Sequence, residues 1–422
     1  MRKLPVGHLV RLCIIAALLV SAALLARASG YFRGGIASRL SGTEGTGAPR
    51  DLVSEFAAGE MVQAVSPRTV LVRMPDGKTT ATAWGGEETA AGARCFTAIL
   101  GEALGSAGSP EPLDESSFRA AVDAGGVYFD FFCPMPLDAL AVWLGSNGQG
   151  AAAVSARMIF LSLAEQTVTV CFRASDGAFR RCATAAVSET LAARMQEFQG
   201  RPARFAFEDD TRSAPDPYAV VFPELPTVTA AASAPVRDAG NPAALLRAAG
   251  MNSYVTTSYL EADGTRVFID EGRTLRFGTD GTVRFRTDIA AGERQTGEGL
   301  AAAVSYASAV ALHGAADYLG AATLRVTDMQ TDGADRYTVS FGYCLNGIPV
   351  HLSSGDAARI EIRSGQLVQF ELKLRTYAFT DGAEELLPMP MAAAIAAEDG
   401  AAPELVYADS GERVSCTWVK AG

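Results

Sequence analysis

Tight-turn dipeptides constrain the second half of this chain more than any other feature. Asp-Gly recurs at 263–264, 280–281, 332–333 and 381–382, and Asn-Gly stands at 346–347. Such pairs supply the positive φ that hairpin turns demand, so antiparallel hairpins are expected between them. A two-residue turn at Asp263-Gly264 sets Glu261 opposite Arg266 and Leu260 opposite Val267. A three-residue loop at 279–281 sets Phe277 opposite Val283 and Leu275 opposite Phe285. A two-residue turn at Asn346-Gly347 pairs Leu345 with Ile348, Cys344 with Pro349 and Tyr343 with Val350. One face of that hairpin then carries Phe341, Tyr343, Leu345, Ile348, Val350 and Leu352, a complete core pattern. Cys344 and His351 share the other face as diagonal neighbours.

The first half mixes types. "RTVLVRM", "GVYFDFF", "RMIFLSL", "TVTVCFR" and "FRRCATAAV" read as strands. "AAGARCFTAILGEAL" is helical with Phe96, Ile99, Leu100 and Leu104 on one face, and "PLDALAVWL" is a short helix opening after a proline. "SETLAARMQEF" is a helix with Ser188 as its expected N-cap. In the second half a long helix spans Glu298 to about Leu319, and a short one spans about Met389–Glu398. Between the halves, Pro215, Pro217, Pro223, Pro226, Pro235 and Pro242 crowd residues 209–242, which predicts a linker rather than a helix or central strand.

At the N-terminus, Arg2, Lys3 and Arg11 precede an uncharged run from Leu12 to Ala26. The run reads as a retained anchor, with "ARA" at 26–28 as the competing signal-cleavage site. Either way the remainder is expected outside the cytoplasm. The predicted layout is a cytoplasmic tail (1–11), a transmembrane helix (12–28), a flexible stalk (29–50), a first domain (51–208), the linker (209–242) and a second domain (243–422). The fold class is α+β: an N-terminal membrane helix, then two extracytoplasmic domains of antiparallel sheets with packed helices.

Export permits disulfides among Cys95, Cys133, Cys171, Cys182, Cys344 and Cys416. A two-residue turn at Asp176-Gly177 sets Cys171 directly opposite Cys182, where a disulfide is sterically open, with Arg173 against Arg180 as the one unfavourable contact. Any remaining bridges would be Cys95–Cys133 and Cys344–Cys416. Free buried thiols are the alternative.

Known chemistries find little support. The net charge of −11 argues against a nucleic-acid partner. Only three histidines occur, which disfavours a histidine-based metal site, and no cofactor motif is present. Cys344 and His351 lack a third orienting group, so no catalytic residue is assigned. The acidic pairs Glu87-Glu88, Asp114-Glu115, Asp209-Asp210 and Glu384-Glu385 lie in polar contexts and read as solvated surface. The arginines, which far outnumber Lys3, Lys78, Lys373 and Lys420, read as compositional bias.

The layout nevertheless resembles a known group. "VYFDFFCPMPLDAL" (127–140) and "RMIFLSLAEQTVTVCF" (157–172) are similar to the N-terminal part of YycH proteins. "GNPAALLRAAGMN" (240–252), "DGTRVFIDEGRTLRFGTDGTVRF" (263–285), "FGYCLNGIPVHL" (341–352), "ARIEIRSGQLVQFELKLRTY" (358–377) and "ELVYADSGERVSCTWV" (404–419) resemble the sheet shared by YycH and YycI. The resemblance implies a single-pass membrane protein that regulates a sensor histidine kinase of the YycG (WalK) type, and through it cell-wall homeostasis, by contact with the kinase and a second YycH/YycI-type protein. It implies no catalysis. The competing expectations are an exported PepSY-like binding or inhibitory module and, below that, an exported hydrolase.

Overall fold

In the computed structural model, near-continuous apolar runs such as β4 build one large sheet, buried on both faces, and alternating apolar and polar residues build a second. The structure describes residues 58–146, 154–163, 166–208, 216–225, 227–238, 240–252, 256–288, 299–333, 335–397, 403–411 and 413–420. The expected membrane run and stalk lie outside these. Among the described residues, no helix is long and apolar enough to cross a membrane.

The first half runs α1 (Ala58–Ala64), β1 (Thr69–Arg73), β2 (Thr79–Ala83), α2 (Gly86–Gly105), β3 (Glu111–Pro112), α3 (Glu115–Asp123), β4 (Gly126–Pro136) and α4 (Leu137–Trp143). It continues with β5 (Ser155–Ser162), β6 (Thr167–Ala174), β7 (Phe179–Val187), α5 (Ser188–Glu197), β8 (Arg201–Pro202) and β9 (Arg204–Phe205). Among the described residues these strands form an eight-stranded sheet ordered β3-β7-β6-β5-β4-β1-β2-β8, with β9 outside it. On one face α2 buries Phe96 against Phe129 and Phe198. On the other, Leu71, Tyr128, Phe160 and Cys171 pack beneath Phe118 of α3 and the returning Phe205 and Tyr218. Ser188 is the first residue of α5 rather than its cap, and its hydroxyl makes no capping bond.

The rest follows as β10 (Val220–Val221), which pairs with β9, β11 (Val228–Pro235), α6 (Ala243–Ala248), β12 (Thr257–Leu260), β13 (Arg266–Asp270), β14 (Arg273–Phe277), β15 (Thr282–Thr287) and α7 (Leu300–Ala315). Then come β16 (Ala322–Asp332), β17 (Arg336–Leu345), β18 (Ile348–Leu352), β19 (Ala358–Arg363), β20 (Gln366–Lys373) and β21 (Arg375–Glu384). The chain closes with α8 (Met389–Ala397), β22 (Pro403–Asp409) and β23 (Arg413–Lys420). Their sheet, thirteen-stranded among the described residues, is ordered β12-β13-β14-β15-β20-β19-β17-β18-β22-β23-β11-β21, with β16 along the other edge of β17. All its ladders are antiparallel except β18 with β22. The sheet curls until β21 meets the entry to β16, where Ala321 N–H donates to Tyr377 O (2.8 Å). Helix α7 is rich in alanine and buries Val304, Ala307, Val310 and Ala311, so it can be enclosed on most sides.

Four expectations change. First, the proline-rich segment is not only a connection: Val228–Pro235 is a strand paired with β21 on one side and β23 on the other. The prolines at 223, 226 and 235 bracket it, which leaves the residues between free to donate ladder bonds. Second, Phe56–Gly422 forms one compact unit. Its halves interlock: Trp143 Nε1 donates to Ala301 O (3.2 Å), Arg68 pairs with Glu404 (2.7 Å), and the buried Arg325 donates to Gln63 O. Third, Asp381-Gly382 lies inside β21, where the ladder with β11 slips between Thr229 and Ala231, and makes no hairpin turn.

The fourth change concerns the Asp-Gly turns. At Asn346-Gly347 the expected two-residue register holds, with both residues at positive φ (49° and 80°). The three-residue loop at 279–281 also holds. At Asp263-Gly264 and Asp176-Gly177 the register is one residue off: Leu260 faces Arg266, and Cys171 faces Arg181. In both, the Asp carboxylate accepts from the N–H two residues on (2.9 and 3.0 Å) and only the glycine has positive φ, near 85°. That is a type I turn with a bulge, which adds one loop residue. The slip also removes the like-charge contact, because Arg173 now faces Phe179 and reaches Asp216 (2.6 Å) while Arg180 pairs with Asp176.

Candidate docking surfaces

The slip at Asp176-Gly177 decides the disulfide. Cys182 is paired with Val170, one step from Cys171, so the two thiols point to opposite faces of the first sheet. Cys171 joins the cluster around Tyr128 and Phe160. All six described cysteines are free. Burial pushes the thiols of Cys133, Cys171, Cys344 and Cys416 up to about 12 and that of Cys182 to about 11. At neutral pH these are uncharged side chains of the core, not nucleophiles.

Cys344 is buried in the core, whereas His351 is exposed on β18. The hairpin has a different task. Helix α2 begins after Gly85, which offers no side chain to cap it. Asn346, at the tip of the hairpin, fills the role from the other half of the chain: its Oδ1 accepts from Gly86 N–H at 2.8 Å. The fit is close enough that a Cβ on Gly86 would meet the Asn346 Cα at 3.3 Å.

Two charged clusters are structural in form. Where the halves meet, Arg68 spans Asp130 (2.5 Å) and Glu404 (2.7 Å), and Arg157 takes the other oxygen of Asp130 (3.1 Å). Each cation there has a carboxylate, leaving no excess of either sign. In the large sheet, Asp409 is buried and accepts from Ser233 Oγ (2.9 Å), Tyr377 OH (2.8 Å) and Gly411 N–H (2.8 Å). Arg375 completes the network, with Nε 2.8 Å from Oδ2 and Nη2 donating to Oδ1 at 3.2 Å. This fastens β11 to β21 and β22.

Among the described residues, two hollowed surfaces are open. Leu387, Met391 and Ile395 expose about half their area around α8, beside a hollow of about 290 Å³ that reaches Trp418. The second is the outer face of β14, β15, β20, β19 and β17, opposite the face covered by α7. There a groove of about 920 Å³ is lined by Arg284, Arg286, Arg359, Glu361, Glu371 and Lys373, among others. Glu371 pairs with Arg284 (2.8 Å) and Glu361 with Arg336 (2.8 Å). Composition alone hid this face. Its sequence signal is alternation, since Arg284 and Arg286 lie two apart on β15 and meet Glu371 and Gln369 of β20. Among the acidic pairs, Glu87-Glu88 sits in the first turn of α2, Asp114 caps α3, Glu384-Glu385 ends β21, and Asp209-Asp210 lies outside the described residues. No group of His, Cys, Asp and Glu among the described residues could hold a metal ion.

The described residues form an α+β body with an open charged sheet face and buried thiols. The fold is of the YycH type: the crystal structure of YycH from Bacillus subtilis superposes with a TM-score of 0.51 at 12% sequence identity, covering 85% of this chain and 94% of that one. No protein-family model and no curated protein matches the sequence.

Proposed function

We propose that this protein is a membrane-anchored, non-enzymatic extracytoplasmic regulator of a two-component sensor histidine kinase, acting by protein–protein contact. The observation that carries the reading is the YycH-type fold, which extends over 85% of the chain rather than over one sheet. The open faces of the second half support it, because a protein that acts by contact needs exposed surface beyond its core. A kinase poised between two states shifts only by the difference in its affinity for the partner in each, so one binding face suffices as the working part. The apolar run at 12–26 supplies the anchor and shares the bilayer with the kinase.

The test is deletion of the gene with phosphorylation of the cognate response regulator as the readout. A change in phosphorylation that the full chain reverses supports the reading; unaltered phosphorylation of every response regulator in the cell removes it. N-terminal sequencing of protein from membranes checks the anchor, and a mature chain beginning at Ser29 overturns that part.

A further inference from the structure

The outer face of the large sheet holds an arrangement that the fold does not require. Arg276 lies directly opposite Arg284, and Arg336 directly opposite Arg363. Like charges at directly opposed positions cost stability. Arg286 and Arg359 occupy the same face on β15 and β19, where the register places them opposite Gln369 and Glu371. All six arginines are exposed. Of the carboxylates here, Glu261 is engaged by Arg276, Glu371 by Arg284, and Glu361 and Asp332 by Arg336, while Asp356 accepts from Ser340 Oγ (2.8 Å). Arg286, Arg359 and Arg363 have no carboxylate partner among the described residues. A net charge of −11 belongs to the whole chain, so this cationic face runs against the average.

We propose that this face binds an acidic, extended polypeptide segment of a partner protein, its carboxylates seated on Arg286, Arg359 and Arg363. The proposal rests on the regulatory reading only in expecting the partner to be a protein. Guanidinium groups grip carboxylates through paired N–H bonds, and an unpaired arginine gives up no internal ion pair to do so. Arg286 and Arg359 are separated by one strand, about 10 Å across the sheet, and by two residues, about 7 Å, along it, so about 12 Å lies between them. In an extended chain, side chains on one face recur about every 7 Å, so carboxylates two such repeats apart, about 14 Å, can address both. The face is recessed, and Glu361 and Glu371 stand among the arginines. A flat anionic bilayer would meet those carboxylates as well, whereas a narrow chain can pass between them.

The test uses the full-length protein in detergent and a fluorescein-labelled synthetic peptide that alternates Glu and Thr. Its Gln-for-Glu counterpart is the control, and vesicles of phosphatidylglycerol or phosphatidylcholine form a second arm. The triple variant R286Q/R359Q/R363Q alters only exposed side chains that make no internal ion pair, and an unchanged melting temperature shows that it folds. We expect the acidic peptide to bind, to lose about tenfold or more in affinity in the triple variant, and to weaken as ionic strength rises from about 0.05 to about 0.5 M. No binding of the acidic peptide, equal binding by the triple variant, or equal binding of the Gln peptide overturns the assignment. Selective binding of phosphatidylglycerol vesicles without peptide binding overturns it in favour of a lipid surface. The assay involves no kinase, so its failure removes this face as a docking site while the regulatory reading keeps its own phosphorylation test.

Discussion

Replacing Asp409 by asparagine removes one negative charge at a site where the shape hardly changes. The Asp409 side chain is 1% exposed and that of its partner Arg375 is 14% exposed. The carboxylate answers four donors at once, from Ser233, Tyr377, Gly411 and Arg375. Losing the charge strands a nearly buried guanidinium, and breaking such a pair costs about 3–5 kcal/mol. Asparagine keeps one acceptor oxygen, so the lower figure of about 3 kcal/mol is expected. Ser233→Ala removes a neutral donor from the same carboxylate and an acceptor from Arg375 Nη2 (2.7 Å), and should cost about 2 kcal/mol. The double replacement Arg375→Met with Asp409→Leu removes the stranded charge but leaves the Ser233, Tyr377 and Gly411 donors without their acceptor, so it should cost at least as much as Asp409→Asn. Urea denaturation of the full chain measures all three, and hydrogen exchange adds the location. Amides of residues 228–234 should lose protection first, because Ser233 on β11 is tied to β22 through this carboxylate. An Asp409→Asn cost below about 1 kcal/mol, with protection of β11 unchanged, would mean that water reaches the network and that the reasoning fails.

Other outcomes follow from the same structure. Asn346→Gly keeps the left-handed turn but loses the bond to Gly86, for an expected cost of about 1 kcal/mol; Asn346→Ala should cost a further ~1 kcal/mol for its positive φ, both read from chemical denaturation. The buried thiols of Cys133, Cys171, Cys344 and Cys416 hold their protons to about pH 12, whereas an unfolded thiol releases its proton near 8.5. Between those values the folded chain binds more protons than the unfolded one, so stability should fall as pH rises through that window, by up to about 1.4 kcal/mol per pH unit per thiol. Cys344→Ala should flatten the alkaline slope, and the half-buried Cys95 should be the first described cysteine to be alkylated. The Asp114 carboxyl is held down to about 2, first by the Ser116 hydroxyl and then by the Ser117 N–H and hydroxyl. Its capping of α3 is therefore complete above the ordinary carboxylate range and lost as pH falls through about 2, which amide exchange at Ser117 would detect.

What could be read from the sequence depended on whether a residue's role was local. The Asn346-Gly347 register was legible because tight turn and apolar face agree, and the loop at 279–281 because only three residues bring Phe277 to Val283. The Asp-Gly turns at 176 and 263 were misread because an aspartate carboxylate folds back onto the backbone two residues later, whereas the Asn346 side chain is occupied elsewhere. Strand β11 was hidden because proline density was counted without asking where the prolines fell. The arginine face was illegible for a deeper reason. Arg276 and Arg284 already face each other in the one hairpin around the 279–281 loop, but they share a face with Arg336 and Arg363 only once five strands, β14, β15, β20, β19 and β17, are in register.

The cap on α2 sets a timetable. The helix begins at Gly86, yet the oxygen that closes its first turn arrives 260 residues later, on Asn346. A chain emerging from its N-terminus meets water at that helix end until the hairpin is made. The first sheet therefore waits, incompletely fastened, for the last third of the polypeptide. Long-range closure of this kind slows folding and prolongs the time during which apolar surface is open to chaperones and proteases. A truncation that ends before the hairpin would forfeit more than its own strands: it would leave the earlier half with a permanently frayed helix.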